Sequence, residues 1–249
     1  MPDGGYIIAG RTTSYGAGKA EKYFAGIYAA WLIKTDPNGE ERWNRTYGKK
    51  DTDWWVRRVQ QTSYNGYMLS GGTLNKDGRS RALLIKTDLN GNEQWNRTFG
   101  GIDKGPSDLT DAYVQQTSDA GFILAASIFN NTKSYGKAKA DALLIKIDAN
   151  GNERWNKTFG GSNDTWVSSV HQTKDGGFII TGKIRSYDAQ ENWIGDDVWL
   201  LKVSGESTKI AKTSLTTVPG ETSPEKTAGF EAALAITTLL LVITIRRNR

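Results

Sequence analysis

The sequence predicts an all-β chain, a β-propeller or propeller fragment of about four blades with four short strands each. Three observations carry that expectation. The stretch at 32–48, Leu-Ile-Lys-Thr-Asp-Pro-Asn-Gly-Glu-Glu-Arg-Trp-Asn-Arg-Thr-Tyr-Gly, returns almost unchanged at 84–100 and 144–160 and begins a fourth time at Leu200 before dissolving. Each complete copy places Asn-Gly between two β-type runs, a tight-hairpin signal because both residues tolerate positive φ. Glycine (28) and tryptophan (9) are abundant and proline (5) is scarce, which suits many short strands joined by turns.

Aligning the copies gives four extended runs per unit. The first is Val59-Gln60-Gln61-Thr62, matched at 114–117 and 170–173. The second is the Gly-aromatic-aliphatic run at 66–71, matched at 121–126 and 177–182. The third is the Leu-Ile-Lys run and the fourth the Trp-Asn-Arg-Thr run. Lys34, Lys86, Lys146 and Lys202 stand 52, 60 and 56 residues apart, the spacing of propeller blades that bury their faces against their neighbours. Antiparallel order sorts the connections onto two ends. The turns between first and second and between third and fourth strands are uniformly tight. The loops at 12–30, 74–81, 128–141 and 184–197 and the unit-to-unit connections vary, and binding residues on repeat scaffolds concentrate in such loops.

The chain opens in mid-unit, because Asp3 to Gly10 matches Asp175 to Gly182. Earlier units and a signal peptide upstream of Met1 are therefore expected, the competing reading being closure of the array by a strand from its other end. Residues 1–203 are the repeat domain. Residues 204–227, rich in Ser, Thr, Glu and Lys, read as a polar stalk, within which 209–218 alternates enough to supply a last strand. Residues 228–249 read as a transmembrane helix with a basic cytoplasmic tail. The run 228–245 is apolar apart from Glu231 and scattered threonines, and about 18 residues is near the lower limit for a span. Arg246, Arg247 and Arg249 place the preceding domain outside the cell by the positive-inside rule. These arginines supply three of the five net positive charges, and the remaining Lys and Arg are interleaved with Asp and Glu, so no nucleic-acid surface is indicated. There is no cysteine, which excludes disulfides and thiolate metal sites.

Candidate chemistry is sparse. Asn44, Asn96 and Asn156 each begin an Asn-x-Thr acceptor pattern on the fourth strand of a unit, and Asn130 and Asn163 add two more near the variable end. Tyr15, Tyr23, Tyr135, Tyr187 and Trp193, with Phe24, Tyr28 and Phe129, collect in the variable loops beside Asp188, Asp196 and Asp197, a pattern suited to sugar or protein surfaces. The single histidine, His171, occupies a slot filled by Gln60 and Gln115 in other units and is read as structural. Trp43, Trp95 and Trp155 recur at one position and are read as packing between units, not as a cofactor site. No catalytic, cofactor-binding or metal-binding set is assigned.

Two resemblances add to this. Gly-Phe-Ile-Ile-x-Gly, Leu-Leu-Ile-Lys-x-Asp-x-Asn-Gly-Asn-Glu-x-Trp-Asn-Lys-Thr-Phe-Gly-Gly and Val-x-Gln-Thr together resemble the repeat of propeller-type surface proteins of methanogenic archaea and some bacteria, over residues 1–203. The tail Thr227-Ala228-Gly229-Phe230-Glu231, followed by the apolar run and the arginines, is similar to the archaeal Pro-Gly-Phe C-terminal sorting signal, with Ala228 in place of that proline. The resemblance implies an archaeosortase as processing partner, lipid attachment of the cleaved end, and a cell-surface location. The expected function is a non-enzymatic, membrane-anchored envelope, adhesion or binding scaffold, with envelope polysaccharide or surface proteins as partners. The alternative is a catalytic propeller, similar to quinone-dependent dehydrogenases or acting on carbohydrate, whose active-site blades lie upstream of Met1.

Overall fold

The structure, a computed structural model, describes residues 3–13, 28–49, 51–76, 78, 80–100, 112–130, 139–160, 164–187, 193–205 and 241–245; the side chains of 129, 130, 139, 186, 187 and 241–245 are outside that description. The described residues are all-β and form four small antiparallel sheets in chain order. The first holds β1 (Ile7–Thr12), β2 (Ala29–Thr35) and β3 (Glu41–Tyr47). The second holds β4 (Thr52–Gln61), β5 (Tyr67–Asn75), β6 (Ser80–Thr87) and β7 (Glu93–Phe99). The third holds β8 (Tyr113–Gln116), β9 (Phe122–Asn130), β10 (Lys139–Ile147) and β11 (Glu153–Phe159). The fourth holds β12 (Asp164–Gln172), β13 (Phe178–Tyr187), β14 (Trp193–Val203) and β15 (Leu241–Ile245).

Each sheet is a meander stacked face to face on the next, a propeller-like arrangement, and no strand pairing joins the first sheet to the fourth among the described residues. The stacking explains why the third strand of a unit is an unbroken apolar run instead of an alternating one. Ala82, Leu83, Leu84 and Ile85 are all fully buried. Leu83 and Ile85 pack with Ala30, Leu32 and Tyr47 of the first sheet, while Ala82 and Leu84 pack with Phe122, Leu124 and Ile145 of the third. A strand covered on both faces has no polar side to present. The same division repeats at Leu143 and Ile145 against Ala142 and Leu144.

The tight turns are built by aspartate. Asp36 Oδ1 accepts the N–H groups of Asn38 and Glu40, both at 2.9 Å, and Asp88 and Asp148 repeat the pattern. Gly39 N–H donates to the Asp36 carbonyl at 3.1 Å, and the register then slips between Lys34 and Thr35. Only the glycine has positive φ (88° at Gly39, 75° at Gly91, 84° at Gly151), and none of the three preceding asparagines does. The hairpin is thus a turn closed by a glycine bulge and not the two-residue positive-φ turn that Asn-Gly suggests, because the aspartate side chain caps a longer loop.

The C-terminus departs from expectation. Leu241–Ile245, expected within a membrane helix, is extended and pairs with β14, Leu241 opposite Lys202 and Ile245 opposite Val198. Leu-Val-Ile-Thr-Ile is rich in β-branched residues, and the fourth unit has lost its own tryptophan-bearing strand, so an edge stands ready to receive it. The fourth strand of that sheet therefore comes from 241–245; the segment 209–218 lies outside the described residues, as do 206–240 and 246–249. Among the described residues no helix is long and apolar enough to cross a membrane.

Candidate functional site

The Asn-x-Thr sites are positioned by the outermost strands. In β3, Trp43, Arg45 and Tyr47 point at the second sheet: the Trp43 ring meets Tyr67 at 6.1 Å, Arg45 lies over Trp43, and the Tyr47 hydroxyl donates to the Gly91 carbonyl at 2.6 Å. Alternation turns Asn44 and Thr46 to the opposite face. There Asn44 Nδ2 donates to Glu41 Oε1 at 2.6 Å, and Asn96 with Glu93 and Asn156 with Glu153 reproduce this at the same distance. Asn156 and Thr158 are exposed, Thr98 is exposed, and Asn44 and Asn96 are half-buried. The three acceptor amides thus sit at equivalent places on the rim. Sequence reasoning did not anticipate the glutamate brace, although Glu at three residues before each Asn was its visible signal.

The variable end gives one described cluster. Trp193, at the start of β14, is 62% exposed, and its Nε1 donates to Asp196 Oδ1 at 3.2 Å. Asp196 also takes Lys183 at 2.8 Å and Arg185 at 3.4 Å from the paired strand β13. Lys183 and Arg185 lie over the Trp166 ring. The Lys183 hydrogen bond leads in lowering the Asp196 pKa, so the carboxylate is charged and spoken for. Two indoles flanking a fixed cation–carboxylate set offer an apolar ring face beside several polar donors, which suits a polyhydroxylated or peptide surface. Lys183, Arg185 and Trp166 were missed by sequence reasoning because two registers bring them together, β12–β13 setting Trp166 opposite Lys183 and β13–β14 setting Arg185 opposite Asp196.

The other expected residues separate. Tyr28 is drawn into structure: its N–H donates to Asp53 Oδ1 at 2.7 Å and Arg11 covers its ring. Asn130 and Tyr187 end β9 and β13, pairing with Lys139 and Trp193, and their side chains are outside the description. Tyr15, Tyr23, Tyr135, Asn163 and the sorting-type residues Ala228, Gly229 and Phe230 lie outside the described residues. His171 is exposed on β12, and no group of three or more His, Asp or Glu able to hold a metal stands together among the described residues.

The repeated polar residues are occupied in the scaffold. Lys34 pairs with Asp3 at 2.8 Å, Lys146 with Asp119 at 2.8 Å and Lys202 with Asp175 at 2.6 Å. In the second unit Tyr64 stands where the others have Asp, and Lys86 lies over its ring while donating to the Ala149 carbonyl. Burial pushes the Asp119 carboxyl up, but the Lys146 ammonium, the Thr117 hydroxyl and the Gly121 N–H outweigh it and hold the pKa at about 2. The Lys202 contact first, then the Thr173 hydroxyl, holds Asp175 well below the carboxylate range. Glutamines tie the sheets: Gln116 Oε1 accepts Ser63 N–H and Gln172 Oε1 accepts Ser118 N–H, both at 2.8 Å. Compared with known protein families and with curated protein sequences, the chain matches none.

Proposed function

We propose that the four sheets are blades of a β-propeller or propeller fragment that acts as a non-enzymatic, membrane-anchored surface scaffold, presenting its variable end to envelope polysaccharide or surface proteins. The observation that carries this reading is a division of labour. The repeated Trp, Lys, Asp and Gln side chains are consumed in packing, turns and ties between sheets, whereas Trp193, Asp196, Lys183 and Arg185 gather in an exposed, unit-specific cluster at the variable end. The rim position of Asn44, Asn96 and Asn156 supports their use as glycan acceptors on an exported protein. The run 228–245 serves as anchor in this reading, with the 228–230 segment as the processing signal. Pairing of Leu241–Ile245 with β14 and insertion of the same residues in a bilayer exclude each other, so insertion uncovers the β14 edge.

Intact-mass measurement on the native protein tests the location. The chain is expected in the membrane fraction, with a mass that falls on chemical deglycosylation; an unmodified chain recovered only from the soluble fraction sinks the reading. The binding role is tested by Trp193→Ala on the full chain. Affinity for immobilised envelope polysaccharide is expected to drop about tenfold, since losing one stacked ring costs about 1.4 kcal/mol. Unchanged affinity would remove Trp193 from the site.

A further inference from the structure

We propose that the outer edge of β14 is a strand-acceptor site, kept occupied by the chain's own Leu241–Ile245, which takes an extended, uncharged, β-branched segment of another protein when that tail is withdrawn. The proposal rests on the anchor reading above only for what withdraws the tail. In the first three sheets the third strand is covered by β3, β7 or β11, seven residues each. Those strands are delivered by the Asp-capped turns and wedged against the next sheet by Trp43, Trp95 or Trp155. β15 has neither fastening. It is five residues long, contains no tryptophan, and reaches β14 by way of residues 204–240 instead of a tight turn. The structure attaches it by backbone pairing along one edge, from Leu241 opposite Lys202 to Ile245 opposite Val198. A row of strand N–H and C=O groups accepts any extended segment whose side chains suit the register.

That register says what fits. Trp199 and Leu201, buried against the third sheet, stand opposite Thr244 and Val242. Val198, Leu200 and Lys202 alternate with them and stand opposite Ile245, Ile243 and Leu241. The site therefore calls for small residues branched at Cβ in the second and fourth positions and larger aliphatic ones in the first, third and fifth. Lys202 is paired with Asp175 at 2.6 Å and asks for no acidic residue in the incoming segment. The chain's own tail is the template for this ligand and its competitor. Tethered through 204–240, it stands at an effective concentration of about millimolar, so a partner segment enters only once the tail has left. Insertion of the apolar run in a bilayer is the event that removes it, which makes anchoring the signal that opens the edge.

Fluorescence anisotropy of a labelled peptide of residues 241–247, titrated with the full chain, tests this. Val242→Pro with Ile243→Pro removes two adjacent N–H groups, one of which must face β14, and so releases the tail. This double variant is expected to bind the peptide at least about tenfold more tightly than the wild type, whose own tail competes. The same peptide carrying both prolines is expected not to bind. Leu200→Cys with Ile243→Cys, at positions directly opposite, locks the tail when oxidised; peptide binding is expected to vanish and to return on reduction. A released chain that ignores the peptide, or takes the proline peptide equally well, overturns the proposal. If the proline variant fails to fold, Leu200→Cys alone serves: it should capture a peptide carrying Ile243→Cys and not one carrying Val242→Cys, and equal capture overturns the proposal. Phosphatidylcholine vesicles are expected to raise peptide binding by the wild type to the level of the proline variant. If they do not while the proline variant binds, the acceptor edge stands and the anchor reading falls.

Discussion

Trp95→Ala is expected to lower the stability of the chain by about 3 kcal/mol in urea unfolding, with Trp95→Phe recovering more than half of the loss. The ring is a wedge between the second and third sheets. It meets Phe122 edge-on at 6.3 Å, its Nε1 donates to the Ala149 carbonyl at 3.3 Å, and Arg97 lies over its outer face. A Cβ on Gly151 would stand 3.2 Å from the ring, so the hairpin of the third sheet is already pressed against it. Truncation to alanine removes the ring, takes away one of the two donors to the Ala149 carbonyl while Lys86 remains, and opens a gap that the sheets cannot close, since strand pairing fixes each one. Sheets that touch only their neighbours lose cooperativity when one junction fails, so the urea m-value should fall as well. A double-mutant cycle with Phe122→Leu should give a coupling of about 1 kcal/mol. A loss below about 1 kcal/mol for Trp95→Ala would mean that the ring rests on the surface and joins nothing.

The repeat made the strands, the hairpin positions and the packing role of Trp43, Trp95 and Trp155 legible, because each is a local pattern said three times. What it hid was whatever depends on having a neighbour. Tyr6 and Tyr67 look equivalent in sequence, yet one is open and the other buried, since among the described residues only the second has a sheet packed on its ring. The Gln116–Ser63 and Gln172–Ser118 ties run from a strand to the turn of the sheet before it, and no spacing within one unit reveals them. The 241–245 segment shows the opposite failure. An apolar run of β-branched residues reads equally as a membrane helix or as a buried strand, and periodicity has no polar positions from which to decide. The vacant edge of β14 is a fact about the fourth unit that the tail itself does not carry. At the variable end, Trp193 was legible as an exposed aromatic, while its partners Lys183 and Arg185 were set by register across a hairpin.

Gly71→Ala is expected to cost about 3 kcal/mol, although it adds one methyl group to a strand. The glycine lies opposite Val56, and the next pair is Ser70 with Arg58, so Arg57 is an extra residue in β4. That bulge turns the strand inward, and a Cβ on Gly71 would land on the Trp55 carbonyl oxygen and 2.7 Å from Val56 Cα. Both obstacles are backbone, so neither can swing aside as a side chain would. Gly182 repeats the arrangement, with Ser168 as the extra residue and the Trp166 carbonyl in the way. The two remaining units supply the controls. Gly10 has nothing within 4 Å of a built Cβ, so Gly10→Ala should leave the midpoint within about 0.5 kcal/mol. The third unit carries Ala126 at this position, and β8 begins opposite Ala125, so among the described residues no paired strand residue stands opposite it. If Gly71→Ala and Gly10→Ala shift the urea midpoint alike, the bulge in β4 is not what requires glycine. If only Gly71→Ala and Gly182→Ala are costly, the glycine is demanded by the innermost strand of a complete unit, and its recurrence in the sequence marks packing and not a binding site.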